Sequence, residues 1–191
     1  MTSQNSSIHK NISYVVFTVF FLVGIITYKD YGISVDEEFE RRVGFYWLSY
    51  VLSFTPFDEL MNATSFKLEQ ISGFTLPTAK DNKFYGVIFS LPMAFIEVVF
   101  NIEDSKKYFQ LRHLFNFLLF FTSSIFFYKI LLNRFLKYDI ALIGLLFFIL
   151  SPRIYGSSFF NSKDMVFLSL LTVALYFCFR CFDKISYKNL L

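Results

Sequence analysis

Cysteine is scarce here, with only Cys178 and Cys181 in 191 residues. Their C-x-x-C spacing closes a greasy run and lacks the strand context of a redox motif. Free, buried thiols are therefore expected instead of a redox pair or a metal site. Net charge is almost absent too, at +3. No basic patch interleaved with base-stacking aromatics occurs, which excludes nucleic acid as a partner. The first apolar run lacks a small-residue cleavage site behind it, so it is a retained anchor and not a removed signal peptide. There is no convincing internal repeat. The apolar runs also hold few charges, Glu97 and Lys129 apart, which argues against a transporter.

What the chain has in excess is apolar and aromatic residues: 55% hydrophobic, 22% aromatic, and 29 Phe, with mean hydropathy +0.49. A soluble domain of this size has no interior large enough for them. They are bunched into runs, the pattern that lipid selects. The expected fold class is all-α, a polytopic α-helical membrane protein. Spans are expected at about 13–28, 114–132, 138–154 and 165–182, after a polar and disordered 1–12. The segment 29–112 between the first two spans is expected to carry two interfacial helices. One, at about 40–55, holds Tyr46, Trp47 and Tyr50 at headgroup depth and ends at Pro56. The other, at about 84–100, just has the length to cross. Yet Gly86, Ser90, Met93 and Glu97 form a small or polar stripe, and an acid facing lipid costs roughly 2.5–3.5 kcal/mol. A surface helix is preferred there. With four spans, both termini lie inside, and Lys129, Arg134, Lys137, Arg180, Lys184 and Lys188 fall on the inner side, as the positive-inside rule requires.

Two polar stretches then share the outer face. Asp36-Glu37-Glu38 follows the first span. Three adjacent acids gain from hydration, so a solvated loop or helix start accounts for them; at a bilayer surface they can also meet a substrate with its tail in lipid and its head in water. The second stretch, Ser151 to Asp164 (SPRIYGSSFFNSKD), gathers Arg153, Asn161, Lys163 and Asp164 in a compact loop. Interface anchoring, with Asp164 as helix N-cap, explains it, and so does reception of a phosphate by Arg and Lys. His113, beside the second span, suits either an interface hydrogen bond or phosphate.

An N-terminal span, an acid pair (Val35-Asp36-Glu37), surface helices, a span opened by Arg112-His113, a basic turn and a hairpin ending in Ser-Pro-Arg…Asn-x-Lys-Asp resemble the N-terminal part of GT-C glycosyltransferases. The protein mannosyltransferase and aminoarabinose-transferase-like branch is the nearest in pattern. The resemblance implies a GT-C-like N-terminal transmembrane bundle. It also implies a sugar moved from a polyprenyl-phosphate carrier to an acceptor glycan, lipid or protein, on the periplasmic or lumenal face of a plasma membrane. By that resemblance Asp36 is the catalytic acid, Glu37 its partner, Asp164 the acid of the second external loop and Arg112 the arginine that opens the following span. The chemistry of a leaving phosphate adds Arg153 and Lys163, with His113, as substrate or phosphate ligands. A divalent metal is compatible with the family, but no metal ligands stand out. Glu38 and Lys163 depart from the family pattern. Family members are much longer, so the chain is expected to be a fragment of that frame. A non-catalytic membrane subunit, its acids serving topology alone, is the alternative.

Overall fold

A computed structural model describes residues 3–71 and 86–184. The described residues form eight helices and no strand: α1 (Ser3–Thr27), α2 (Val35–Leu52), α3 (Asp58–Ile71), α4 (Ser90–Val99), α5 (Ser105–Phe135), α6 (Tyr138–Leu150), α7 (Pro152–Phe160) and α8 (Asp164–Lys184). Three of them, α1, α5 and α8, are long and apolar enough to cross a bilayer, and the pair α6–α7, bent by 59°, makes a fourth crossing if taken as one broken span. The chain is an all-helical integral membrane protein.

The bundle is organised on α5, which at 31 residues is about 46 Å long. It packs along α8, α6 and α7 and touches α1. Phe20, Phe117, Phe120, Ala141, Leu145, Ile149 and Phe159 form the core. Ring pairs such as Phe20–Phe117 (5.5 Å, edge-on) and Phe117–Phe159 (5.2 Å, stacked) fill it; each adds roughly 0.5–1.5 kcal/mol beyond its buried area. Gly24 lets α1 approach: a Cβ there would sit 1.9 Å from the Phe117 ring.

A satellite of α2, α3 and α4 joins the bundle where α1 ends and α5 begins. Its core is Phe45, Leu48, Leu52, Ala94 and Val98. Gly44 sets the α2–α4 approach, because a Cβ there would lie 2.3 Å from the Ser90 carbonyl oxygen.

Several boundaries differ from the sequence reading. Helix α1 continues N-terminally through Ser3, into residues expected to be disordered. Helix α2 starts at Val35 and not at about 40, so the acids are a helix start, the second of the two placements expected for them. Helix α3 falls in a stretch where no helix was expected. Residues 84 and 85 of the second interfacial segment lie outside the described residues, and α4 covers only its second half. At ten residues, α4 is about 15 Å long, half the hydrocarbon thickness. Its Ser90, Met93 and Glu97 are buried, whereas Gly86 is exposed and precedes the helix. The supposed polar loop 151–164 is largely α7, because Pro152 at its first turn is pre-set for a helix. Cys178 and Cys181 are exposed on α8 and not buried. Both are free thiols.

Candidate functional site: a carboxylate cleft at the end of the bundle

The site begins with how α2 is started. The Ser34 backbone N–H donates to Glu37 Oε2 at 2.7 Å, one half of a capping box. The Ser34 hydroxyl donates to the Phe160 carbonyl at 3.5 Å, and so ties the start of α2 to the end of α7. Three acids in the first turn also suit the positive end of the helix dipole.

Spacing along α2 then sorts its charges. Glu37 turns inward and is 3% exposed; its Oε1 meets His113 Nε2 at 2.9 Å. The other ring nitrogen of His113 faces the Tyr28 carbonyl at 3.4 Å. The Glu37–His113 pair therefore pins α2, α5 and the end of α1 together. Arg41, one turn on, forms a buried ion pair with Glu97 of α4; its Nε donates to both carboxylate oxygens at 3.1 Å, and its Nη2 reaches Oε1 as well. The guanidinium also lies 3.8 Å from the Tyr108 ring centroid. Glu97, expensive if it faced lipid, is neutralised within the protein instead.

Asp36 and Glu40, at i and i+4, share the remaining face. Both line a small cleft of about 70 Å³ with Ser34, Phe160, Asn161, Ser162 and Lys163. Asp36 is exposed and Glu40 buried. Glu40 Oε2 accepts from Ser162 Oγ at 3.0 Å and Ser90 Oγ at 3.3 Å. Burial pushes its carboxyl above the usual range, and those two hydroxyls, with the Lys163 and Arg112 charges, oppose the shift only partly.

The expected residues thus separate. Asp36 and Lys163 meet in one cleft. Asp164 is exposed at the start of α8. It is not the cap: Asn161 Oδ1 accepts from the Asp164 N–H at 2.9 Å, and Asn161 Nδ2 donates back to Asp164 Oδ2 at 3.1 Å. Arg153 is exposed in the first turn of α7 and is not among the residues lining the cleft. Glu37 and His113 are buried and spent on each other. Arg112 is 3% exposed, in the combined field of Glu97, Glu37 and Glu40. None of its guanidinium nitrogens has a hydrogen-bond partner among the described residues. It is a buried counter-charge to these carboxylates and is not among the residues lining the cleft.

Glu40 and the Arg41–Glu97 pair were missed as site features, because they were taken merely as a helix start and a polar stripe. A signal for Glu40 was present: Ser34-x-x-Glu37 is a helix-start signature, and it fixes the face that Asp36 and Glu40 share. Among the described residues no group of three or more His, Cys, Asp or Glu is placed to hold a metal. Compared with protein-family models, with curated proteins and with solved structures, the chain finds no match.

Proposed function

We propose that the protein is a membrane glycosyltransferase that moves a sugar from a polyprenyl-phosphate carrier to an acceptor hydroxyl. Its site lies on the outer, periplasmic or lumenal, face of a plasma membrane. The observation that carries this reading is the cleft itself. An exposed carboxylate, Asp36, and a cation, Lys163, come from segments more than 120 residues apart in the chain and line one opening at the end of an apolar bundle.

In this reading Asp36 takes the proton of the acceptor hydroxyl as its oxygen attacks the anomeric carbon. The bond from that carbon to the phosphate oxygen breaks, and the polyprenyl phosphate leaves with the electron pair. An inverting displacement needs one such base on the attacking side. Lys163 stabilises the charge gathering on the leaving phosphate. Glu40, a turn behind Asp36, helps hold the Ser162–Lys163 segment in place through the Ser162 hydroxyl. Glu37, Arg112 and His113 are positioning residues in this scheme, since each is buried.

The test is Asp36→Asn in the protein's native membrane, with transfer from a radiolabelled polyprenyl-phosphate sugar as the readout. Loss of a general base is expected to lower the rate by roughly 10²–10⁴-fold at unchanged protein level. Full activity in that variant removes Asp36 from the mechanism. Absence of transfer in the wild type favours a non-catalytic membrane subunit.

A further inference from the structure

The opposite end of the bundle carries a second site. From Arg112 to Arg134 along α5 is 22 residues, about 33 Å of helix, close to the hydrocarbon thickness of a bilayer, roughly 30 Å. The C-terminal ends of α5 and α8 therefore lie at the other interface. Between them is a groove of about 520 Å³ lined by Ile130, Asn133, Arg134, Tyr176, Phe179 and Phe182. That volume is within the range of small-molecule sites, roughly 300–1,000 Å³. Tyr176 also lines an adjoining hollow of about 260 Å³ with Arg180. Lys129 stands with its Nζ 5.9 Å from the Tyr176 ring centroid and 5.2 Å from that of Phe126.

Tyr176 is common to both hollows, with Arg134 on one, Arg180 on the other and Lys129 over its ring; apart from Asn133 and Cys181 the rest of the lining is aromatic and aliphatic. No carboxylate occurs among the described residues lining either hollow. We propose that this groove binds an anionic phospholipid. Its phosphate is taken by Arg134, Arg180 and Lys129, the phosphate ester lies against Tyr176, and an acyl chain runs along Ile130, Phe179 and Phe182. Arginine and lysine suit this because each presents several N–H donors to phosphate oxygens. Basic pockets between helices at the inner interface are built for such headgroups. The apolar wall favours a lipid over a free anion, which would leave that surface unused. The site is independent of the cleft and of any sugar transfer.

Native mass spectrometry of the whole chain in detergent tests it, with phosphatidylglycerol and phosphatidylcholine of matched acyl chains and inorganic phosphate as probes. Phosphatidylglycerol is expected to bind at least about tenfold more tightly than phosphatidylcholine, the order set by two or three cations at an anionic headgroup. The Lys129→Gln/Arg134→Gln/Arg180→Gln variant is expected to lose that preference and Arg134→Lys/Arg180→Lys to keep most of it. All three side chains are exposed, and an unchanged circular-dichroism helix signal confirms the fold of each variant. Equal binding of the two lipids overturns the proposal, as does a preference surviving in the triple Gln variant. Full displacement by inorganic phosphate overturns the lipid assignment, and displacement of lipid by a second copy of the chain makes the groove a protein interface instead.

Discussion

Where α1 ends and α5 begins, charged side chains point inward and find one another: Glu37 with His113, Arg41 with Glu97, Glu40 with two serine hydroxyls. At the other end Lys129, Arg134 and Arg180 point outward. The two arrangements do different things. Buried charges cost several kcal/mol each to desolvate, and those that are paired fix the geometry of a particular place, while Arg112 has only the field of the surrounding acids. Outward cations cost little and act on whatever lies beyond the protein. A fixed site belongs at the first end, and a lipid contact at the second.

The largest expected effect comes from breaking the buried pair. Arg41→Ala strips buried Glu97 of its hydrogen-bonded partner, leaving only the field of Arg112, and is expected to destabilise by about 3–5 kcal/mol, whereas Arg134→Ala at the other end is expected to change stability by less than about 0.5 kcal/mol. Thermal or denaturant unfolding in detergent measures both. Similar losses from the two substitutions would erase the distinction between the ends.

Next in size is Gly44→Ala. Its new Cβ meets the Ser90 backbone, which cannot rotate aside, and overpacking of that kind costs about 1–3 kcal/mol. Because Ser90 also donates to Glu40, the variant is expected to disturb the cleft as well as the satellite core. At Gly144 the neighbour of an added Cβ is the tip of Leu131, a side chain that can move, so Gly144→Ala is expected to be milder.

The smallest effect sharpens the comparison through pH. Burial holds Glu40 above the ordinary carboxyl value of 4.5, so the folded state binds its proton more tightly than the unfolded state does. Its contribution therefore favours folding at low pH, declines as pH rises from about the ordinary value through the raised one, and is flat above. Glu40→Gln is expected to remove that slope and to be slightly more stable than wild type at pH 7, by unfolding midpoints compared from pH 4 to pH 8. A wild-type midpoint that rises over that range while the variant's stays flat would contradict the burial argument.

Much of this was legible in the chain. The apolar runs gave α1, α5 and α8, because lipid demands uninterrupted hydrophobic length. The stripe Ser90, Met93 and Glu97 marked the buried face of α4. Counting crossings put the Asp36 and Lys163 segments at one end of the bundle, though not in one cleft. Other features needed three dimensions. Spacing on a helix decides that Glu37 is spent inward while Asp36 stays outside, and adjacent acids look alike in a row of letters. Arg112 looks exposed in the sequence because it opens a span; only packing shows it buried among the charges of α2 and α4. The partner of Glu97 lies 56 residues away, and no local pattern pairs it with Arg41. Helix α3 has neither a long apolar run nor a strong start signal, so its content alone did not announce it.

The direct test of the central claim uses cysteines at Asp36 and Lys163, introduced after Cys178 and Cys181 are replaced by serine. In sealed vesicles a membrane-impermeant maleimide is expected to label both positions from the same side, and a short bifunctional maleimide is expected to join them within one chain. Labelling from opposite sides would contradict the shared cleft, and with it the transferase built on that cleft.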